Sequence, residues 1–94
     1  MVYAHQIVKR RGREPALLRR HSVEDNFGVQ IAASKPKLAA DAAKMAEDVG
    51  ATYVDLNCGC PIYDTVNKGM GARLLQKVSK LSTILEAMVQ AVNI

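Results

Sequence analysis

The sequence predicts an α/β protein whose strands are parallel. The prediction rests on a short apolar run at residues 28–33, an amphipathic helical segment after it, and a second apolar run at residues 53–57. A strand, a helix and a strand within about 30 residues form a βαβ unit, in which the strands are parallel and the crossover is right-handed. With 94 residues, the chain has room for one domain at most.

Residue type and spacing justify the first strand and the helix after it. Residues 28–33 read GVQIAA, and their β-branched side chains favour a buried strand. Ser34 suits the N-cap of the helix, and Pro36 is tolerated in a first turn, where its missing N–H would be unpaired anyway. Gly50 stands where a helix end favours positive φ. Apolar residues spaced by three or four define one helix face: Leu38, Ala42, Met45, Ala46 and Val49.

The remaining elements are shorter or less regular. Residues 53–57 predict the second strand and residues 72–76 a short helical turn. Residues 2–8 resemble the end of a further strand, and residues 14–20 a short helix opened by a proline. A final helix carries one apolar face: Leu81, Ile84, Leu85, Met88 and Val92.

These elements are few for a parallel sheet, which needs cover on both faces. We therefore expect a segment of a larger α/β protein rather than a complete small domain.

Composition excludes several classes of protein. Hydrophobic residues make up 49% of the chain and charged residues 23%, which excludes a disordered tail. No apolar run approaches the roughly 20 residues of a membrane helix, and the first residues lack the layout of a secretory signal. Two cysteines are too few for a disulfide scaffold. The composition therefore predicts a cytoplasmic protein with no membrane partner.

Positive charge is concentrated at the N-terminus. The whole chain has a net charge of +4, but residues 1–21 contain six Lys or Arg residues and a single acid, Glu14. Such a segment suits contact with a phosphate backbone, because neutralised phosphates release counterions. A solvated surface segment is the alternative interpretation. No aromatic residues are interleaved with these cations, which argues against base stacking by this segment.

The loop after the second strand carries the candidate chemistry, because parallel strands present functional residues at their carboxyl ends. Zinc needs three or four ligands, and neither His5 nor His21 has ligand spacing to Cys58 and Cys60, so no metal site is predicted. A disulfide between cysteines two residues apart would be strained. Cys60 is either a structural cysteine or a nucleophile or proton donor held at the sheet edge.

The segment at residues 68–71, KGMG, only loosely resembles a phosphate-binding loop. A turn with a solvated lysine explains it equally well.

Two segments of this region resemble a known family. Residues 54–61 read VDLNCGCP and residues 68–75 read KGMGARLL, which together resemble the signature of the tRNA-dihydrouridine synthases. Those enzymes are flavin-dependent (β/α)₈ barrels. Residues 28–31 and 1–4 are similar to the two preceding barrel strands, so the resemblance covers nearly the whole chain. Related flavin barrels that oxidise dihydropyrimidines have a similar Cys-Pro turn, usually without the lysine-glycine loop.

The resemblance implies that residues 1–94 are a fragment of a (β/α)₈ TIM-barrel catalytic domain that binds FMN. It implies an oxidoreductase that reduces uridine in tRNA to 5,6-dihydrouridine, with NADPH as the reductant. By motif position, Cys60 would donate a proton to the uracil and Gln30 would contact the flavin. Asn57 would face both the flavin and the target base, while Lys68 and the basic N-terminal segment would hold tRNA phosphates. Cys58 falls at a variable position and is expected to be a bystander.

Other features of the family fall outside this sequence. The first barrel strand, a later lysine and histidine, the loops for the FMN phosphate and the helical tRNA-binding domain have no match in it. We therefore expect the isolated chain to be inactive and its open sheet edges to favour self-association. Two alternatives remain: a non-catalytic basic module that binds RNA or a partner, and a flavin barrel that acts on free pyrimidines.

Overall fold

A computed structural model describes residues 1–9, 22–23 and 25–94. Both the predicted helix at residues 14–20 and most of the basic N-terminal segment lie outside the described residues. The described part contains a three-stranded sheet in the order β1 (Val2–Tyr3), β2 (Gly28–Ala32) and β3 (Tyr53–Leu56). Both strand pairs are parallel, which confirms the predicted βαβ unit.

Four α-helices and one 3₁₀ helix accompany the sheet. They are α1 (Ala4–Val8), α2 (Pro36–Asp48), α3 (Tyr63–Asn67), the 3₁₀ helix (Gly71–Gln76) and α4 (Val78–Ala91). Helix α2 is the crossover between β2 and β3, and it packs against both strands, α1 and α4. The 3₁₀ helix confirms the predicted helical turn, and positive φ at Gly50 confirms the predicted end of α2.

The core lies between α2, the sheet and α4. Ile31 of β2 and Ile84 of α4 are fully buried in it. Helix α2 contributes mainly small side chains, which allow close approach of its neighbours: Ala39, Ala42, Ala43 and Ala46. The opposite face of the sheet is polar, and its Gln30, Tyr53 and Asp55 are exposed. The packed layer therefore covers one face of the sheet and leaves polar side chains on the other.

Several sequence predictions were wrong in detail. Only Val2 and Tyr3 form a strand, and α1 follows at once because Ala4 and Ile7, three residues apart, are both buried. Helix α2 has Lys35 at its N-cap and no capping bond from a side chain, so Ser34 does not cap it.

The apolar faces also differ from the prediction. Val49 is 40% exposed because α2 ends before it. Ala42 and Ala46 are buried as predicted, and Ala39 and Ala43, which were not predicted, are buried with them. On α4, Leu85 is 42% exposed, whereas Ile84 and Met88 are buried as predicted. No helix in the described part of the chain has the length and hydropathy to span a bilayer.

Candidate functional site

Two side-chain amides meet on the polar face of the sheet. Gln30 lies on β2, and Asn57 directly follows β3, where its N–H extends the strand pairing to the carbonyl of Ile31 at 2.8 Å. Asn57 Nδ2 donates to Gln30 Oε1 at 3.0 Å. Gln30 Nε2 in turn donates to Asp55 Oδ2 at 2.7 Å. The structure thus brings together the two predicted amides and adds a carboxylate that the sequence analysis missed.

The spacing of residues in the sequence could have identified Asp55 as part of this cluster. It stands two residues before Asn57, so both side chains lie on one face of a strand. Asp55 is also the register partner of Gln30 on β2. Direct cross-strand neighbours interact, but identifying this pair requires the register as well as the alternation.

The other side of Asn57 shapes the cysteine loop. Its Oδ1 accepts hydrogen bonds from the backbone N–H groups of Gly59 at 3.3 Å and Cys60 at 3.0 Å. Such a turn, in which an Asn side chain holds the backbone two or three residues ahead, fixes local geometry without regular structure. One side chain therefore links the Gln30 amide to the backbone position of Cys60.

The Cys60 thiol has a buried hydrogen-bond partner. Its Sγ lies 3.8 Å from Oγ1 of Thr65, a fully buried residue of α3. Thr65 Oγ1 is also 2.8 Å from the hydroxyl of Tyr3 at the end of β1. Cys60 itself is only half-buried, whereas Thr65 is fully buried. Neither Thr65 nor Tyr3 was predicted as a site residue from the sequence.

Gly71 allows the 3₁₀ helix to approach this loop. Its φ is +60°, and a Cβ at this position would lie 2.6 Å from the Cys60 carbonyl oxygen and 2.8 Å from Thr65 Cγ2. The same carbonyl accepts a hydrogen bond from the Ala72 N–H at 3.0 Å. The glycine of the KGMG segment at residue 71 therefore serves close packing behind Cys60.

Cys58 differs from Cys60 in surroundings. Its Sγ donates to the carbonyl of Leu56 at 3.5 Å, and the side chain packs against the core. Burial, and secondarily the nearby Asp55 charge, raises the pKa of the Cys58 thiol. Both cysteines are free thiols. Within residues 1–9, 22–23 and 25–94, no three His, Cys, Asp or Glu side chains are grouped as a metal site requires.

Lys68 lies apart from the amide cluster, just after α3, and lines two surface depressions. The first has a volume of about 270 Å³ and is also lined by Lys9 and Lys35. The second, of about 480 Å³, is called the Tyr63 groove here, and its main lining side chains are Tyr63, Lys68, Arg73, Lys77 and Lys80. Gln30, Asn57 and Cys60 line neither depression. The structure therefore gathers three of the predicted site residues and separates the fourth.

The cluster can bind a planar polar ring next to an acid. Each primary amide has two N–H groups. One N–H of Gln30 and one of Asn57 are used within the cluster. The second N–H of each amide can donate to the acceptor atoms of a heterocycle, and the Cys60 thiol is a competent proton donor beside it.

A family model and several curated relatives match this chain, and all of them are dihydrouridine synthases. The family model described as dihydrouridine synthase (Dus) matches residues 1–94. A protein of Oryza sativa subsp. japonica named tRNA-dihydrouridine(47) synthase [NAD(P)(+)]-like is 39% identical over 88 residues, which cover 93% of this chain and 13% of that protein. The tRNA-dihydrouridine(20) synthase [NAD(P)+] of Schizosaccharomyces pombe is 44% identical over 79 residues, which cover 82% and 16%.

A bacterial relative agrees. The probable tRNA-dihydrouridine synthase of Rickettsia bellii is 46% identical over 66 residues, which cover 70% of this chain and 20% of that protein. The chain thus spans between about an eighth and a fifth of the length of these three curated relatives. The match over its whole length confirms the resemblance seen in the motifs: the chain belongs to the dihydrouridine synthase family.

Proposed function

We propose that this chain is the acid-bearing segment of a flavin-dependent tRNA-dihydrouridine synthase, an oxidoreductase whose catalytic domain is a (β/α)₈ barrel. One observation carries the proposal: Asn57 binds the Gln30 amide with its Nδ2 and the Cys60 backbone with its Oδ1, at 3.0 Å in each case. The names of the relatives, which specify tRNA dihydrouridine and NAD(P), support the substrate and the reductant. Three parallel strands with the crossover helix α2 packed on one face are consistent with part of a barrel, in which the helices form an outer ring.

Gln30 and Asn57 would hold FMN. Their unused amide N–H groups suit the acceptor atoms of the flavin ring, and the hydrogen bond to Asp55 fixes which end of the Gln30 amide carries the donors. FMN held there and reduced by NADPH would supply the hydride that the C6 position of the uracil ring needs. Asn57 also lies on the path between the flavin contacts and the cysteine loop, where it would contact the target base.

Cys60 would donate a proton to C5 of the same uracil. Addition of a hydride at C6 and a proton at C5 reduces the C5–C6 double bond, and the sulfur is left as a thiolate. Thr65 is well placed for both states, because its hydroxyl accepts from the thiol and can rotate to donate to the thiolate. The Tyr3 hydroxyl at 2.8 Å supplies the second partner that a buried threonine needs.

The phosphate groups of the tRNA would contact the basic side chains of this segment. Lys68 and the basic N-terminal segment supply positive charge without base specificity. The target uridine must leave its stack to reach Cys60. Since the chain spans a small share of its relatives and its described strands form an open sheet, we propose that the 94 residues by themselves do not turn over tRNA.

The decisive experiment places this segment in a complete enzyme. Residues 1–94 replace the matching segment of a full-length relative, such as the Schizosaccharomyces pombe enzyme, and dihydrouridine in tRNA is measured by mass spectrometry. We expect the chimaera to form dihydrouridine and Cys60→Ala to slow it by about 10²- to 10⁴-fold, the usual contribution of a general acid.

Cys58→Ala is the matched control and should leave the rate close to that of the parent chimaera. Equal rates for the Cys60→Ala variant and the parent would contradict the assignment. A chimaera that binds tRNA but forms no dihydrouridine would instead favour the alternative of a non-catalytic RNA-binding module.

A further inference from the structure

The lysine and arginine side chains that the structure describes form two groups with different surroundings. The described residues contain eight Lys and Arg side chains. Two of them, Lys37 and Lys44, lie on α2 and are ion-paired with Asp41, Glu47 and Asp48 at 3.0 Å. The other six line the two depressions that share Lys68: Lys9, Lys35, Lys68, Arg73, Lys77 and Lys80.

Four of the six cations converge on the Tyr63 groove. No Asp or Glu is among the residues that line it. Lys80 Nζ lies against Gly69, 3.2 Å from where a Cβ on that residue would be, and so brings α4 charge to the end of α3. Neighbouring positive charges repel one another, so an anionic ligand that binds in the groove would reduce the electrostatic repulsion among the four side chains.

Tyr63 adds an aromatic surface to the groove. It is the first residue of α3, three positions after Cys60, and it is 76% exposed. An exposed aromatic ring among cations is typical of proteins that bind unpaired nucleotides, since the ring stacks on a base while the cations contact phosphates. A volume of about 480 Å³ lies within the range of roughly 300–1,000 Å³ that is typical of ligand sites.

We propose that the Tyr63 groove binds an unpaired stretch of RNA, with Tyr63 stacked on one base and Lys68, Arg73, Lys77 and Lys80 on the adjoining phosphates. The inference rests on the proposed function and deepens it. A uridine drawn out of its stack towards Cys60 leaves neighbouring nucleotides unstacked, and α3, which lines the groove, begins three residues after Cys60. The inference gives four groove residues a role in holding the RNA strand beside the target nucleotide: Tyr63, Arg73, Lys77 and Lys80.

The test is equilibrium binding of a fluorescent oligouridylate to the full chain, followed by anisotropy at several salt concentrations. Tyr63→Ala should weaken binding by about 5- to 100-fold and leave the salt dependence unchanged, because it removes stacking alone. Tyr63→Phe should bind like the unmodified chain. Lys77→Gln with Lys80→Gln should reduce the magnitude of the slope of log K against log salt by about 1.4, since each phosphate contact on a single strand contributes about 0.7.

Matched controls come from the same chain. Tyr53 is also an exposed tyrosine, at 58%, but lies on β3 away from the groove. Tyr53→Ala should bind normally, and so should Lys37→Gln with Lys44→Gln, which removes two cations outside the groove. A duplex RNA should bind more weakly than the oligouridylate, since its bases are already stacked.

Three results would overturn the inference. In the first, Tyr63→Ala binds no worse than Tyr53→Ala. In the second, NADPH displaces the oligouridylate as well as unlabelled RNA does, which would identify a dinucleotide site. In the third, polyglutamate competes equally, which would indicate an acidic protein partner.

The outcome is independent of the test of the proposed function. Binding is measured without turnover, so a groove that binds RNA in a chain whose chimaera forms no dihydrouridine would contradict the reaction alone. A chimaera that forms dihydrouridine, with groove substitutions that leave oligouridylate binding unchanged, would contradict this inference alone.

Discussion

At the scale of single residues, Asn57 determines the geometry of the candidate site. Its Nδ2 and Oδ1 are both engaged, on opposite sides, with the Gln30 amide and with the backbone of Gly59 and Cys60. An aspartate at this position would lack the N–H donor, and an alanine would lack both groups. The position of Cys60 and the orientation of the Gln30 amide therefore depend on the same side chain.

The two cysteines should differ in their reaction with alkylating agents. Because burial raises the pKa of Cys58, less of it is thiolate at a given pH than for an ordinary cysteine. In a Cys60→Ser variant, we expect the rate of alkylation by iodoacetamide to rise with pH around a midpoint above the usual thiol value. The same variant unfolded in urea is the control and should show the usual midpoint. Coincident profiles in the folded and unfolded protein would contradict this environment for Cys58.

The sequence identified only part of this residue network. Gln30, Asn57, Cys60 and Lys68 were named from the family motif, and the first three are joined by side-chain or backbone contacts. Thr65 and Tyr3 were missed because they are 62 residues apart in the chain, and only the packing of α3 against the end of β1 brings their hydroxyls together. A motif identifies candidate residues, whereas the groups that contact them through tertiary packing are not visible in it.

At the scale of elements, the approach of the 3₁₀ helix to the cysteine loop depends on Gly71. Gly71→Ala should destabilise the fold by about 1–3 kcal/mol, since a left-handed backbone costs about 1–2 kcal/mol for a residue with a Cβ and the new atom would meet the Cys60 carbonyl. The free energy of unfolding in urea measures the loss.

Gly59 is the matched control in the same loop, because a Cβ there would have nothing within 4 Å. Gly59→Ala should change stability by less than about 0.5 kcal/mol. Equal stabilities of the two alanine variants would show that close packing at Gly71 does not constrain the loop.

Elements with a clear hydrophobic pattern were predictable, and two short helices without one were not. Strand β2 and helices α2 and α4 follow hydrophobic periodicity, so their positions agree with the sequence to within a residue or two. Helices α1 and α3 have five residues each, too short for periodicity to distinguish a helix from a strand end or a loop. The buried face of α2 also differs from the predicted one. Leu38 and Met45 are only partly buried, because both the sheet and α4 pack on the side of the helix that carries the alanines.

At the scale of the whole molecule, the described sheet has two open edges. Strands β1 and β3 each pair only with β2 among the described residues. Beside β3 lies an apolar depression of about 110 Å³ between the strand and α4, and Leu85, Val89 and Ile94 on its rim are among the exposed large hydrophobic residues. An unpaired strand edge next to an apolar surface favours pairing with another chain.

We therefore predict that the isolated 94-residue chain self-associates through β3 and α4. Leu85→Lys should weaken the association by about tenfold or more, because burying a leucine contributes roughly 1.5–3 kcal/mol and a lysine in its place brings an unpaired charge. Sedimentation velocity over a range of concentrations measures the effect. Val78→Lys is the matched control, since Val78 is 68% exposed on the same helix but lies outside the depression. A chain that stays monomeric at every concentration would refute the prediction, and equal effects of the two lysines would show that this surface is not the contact.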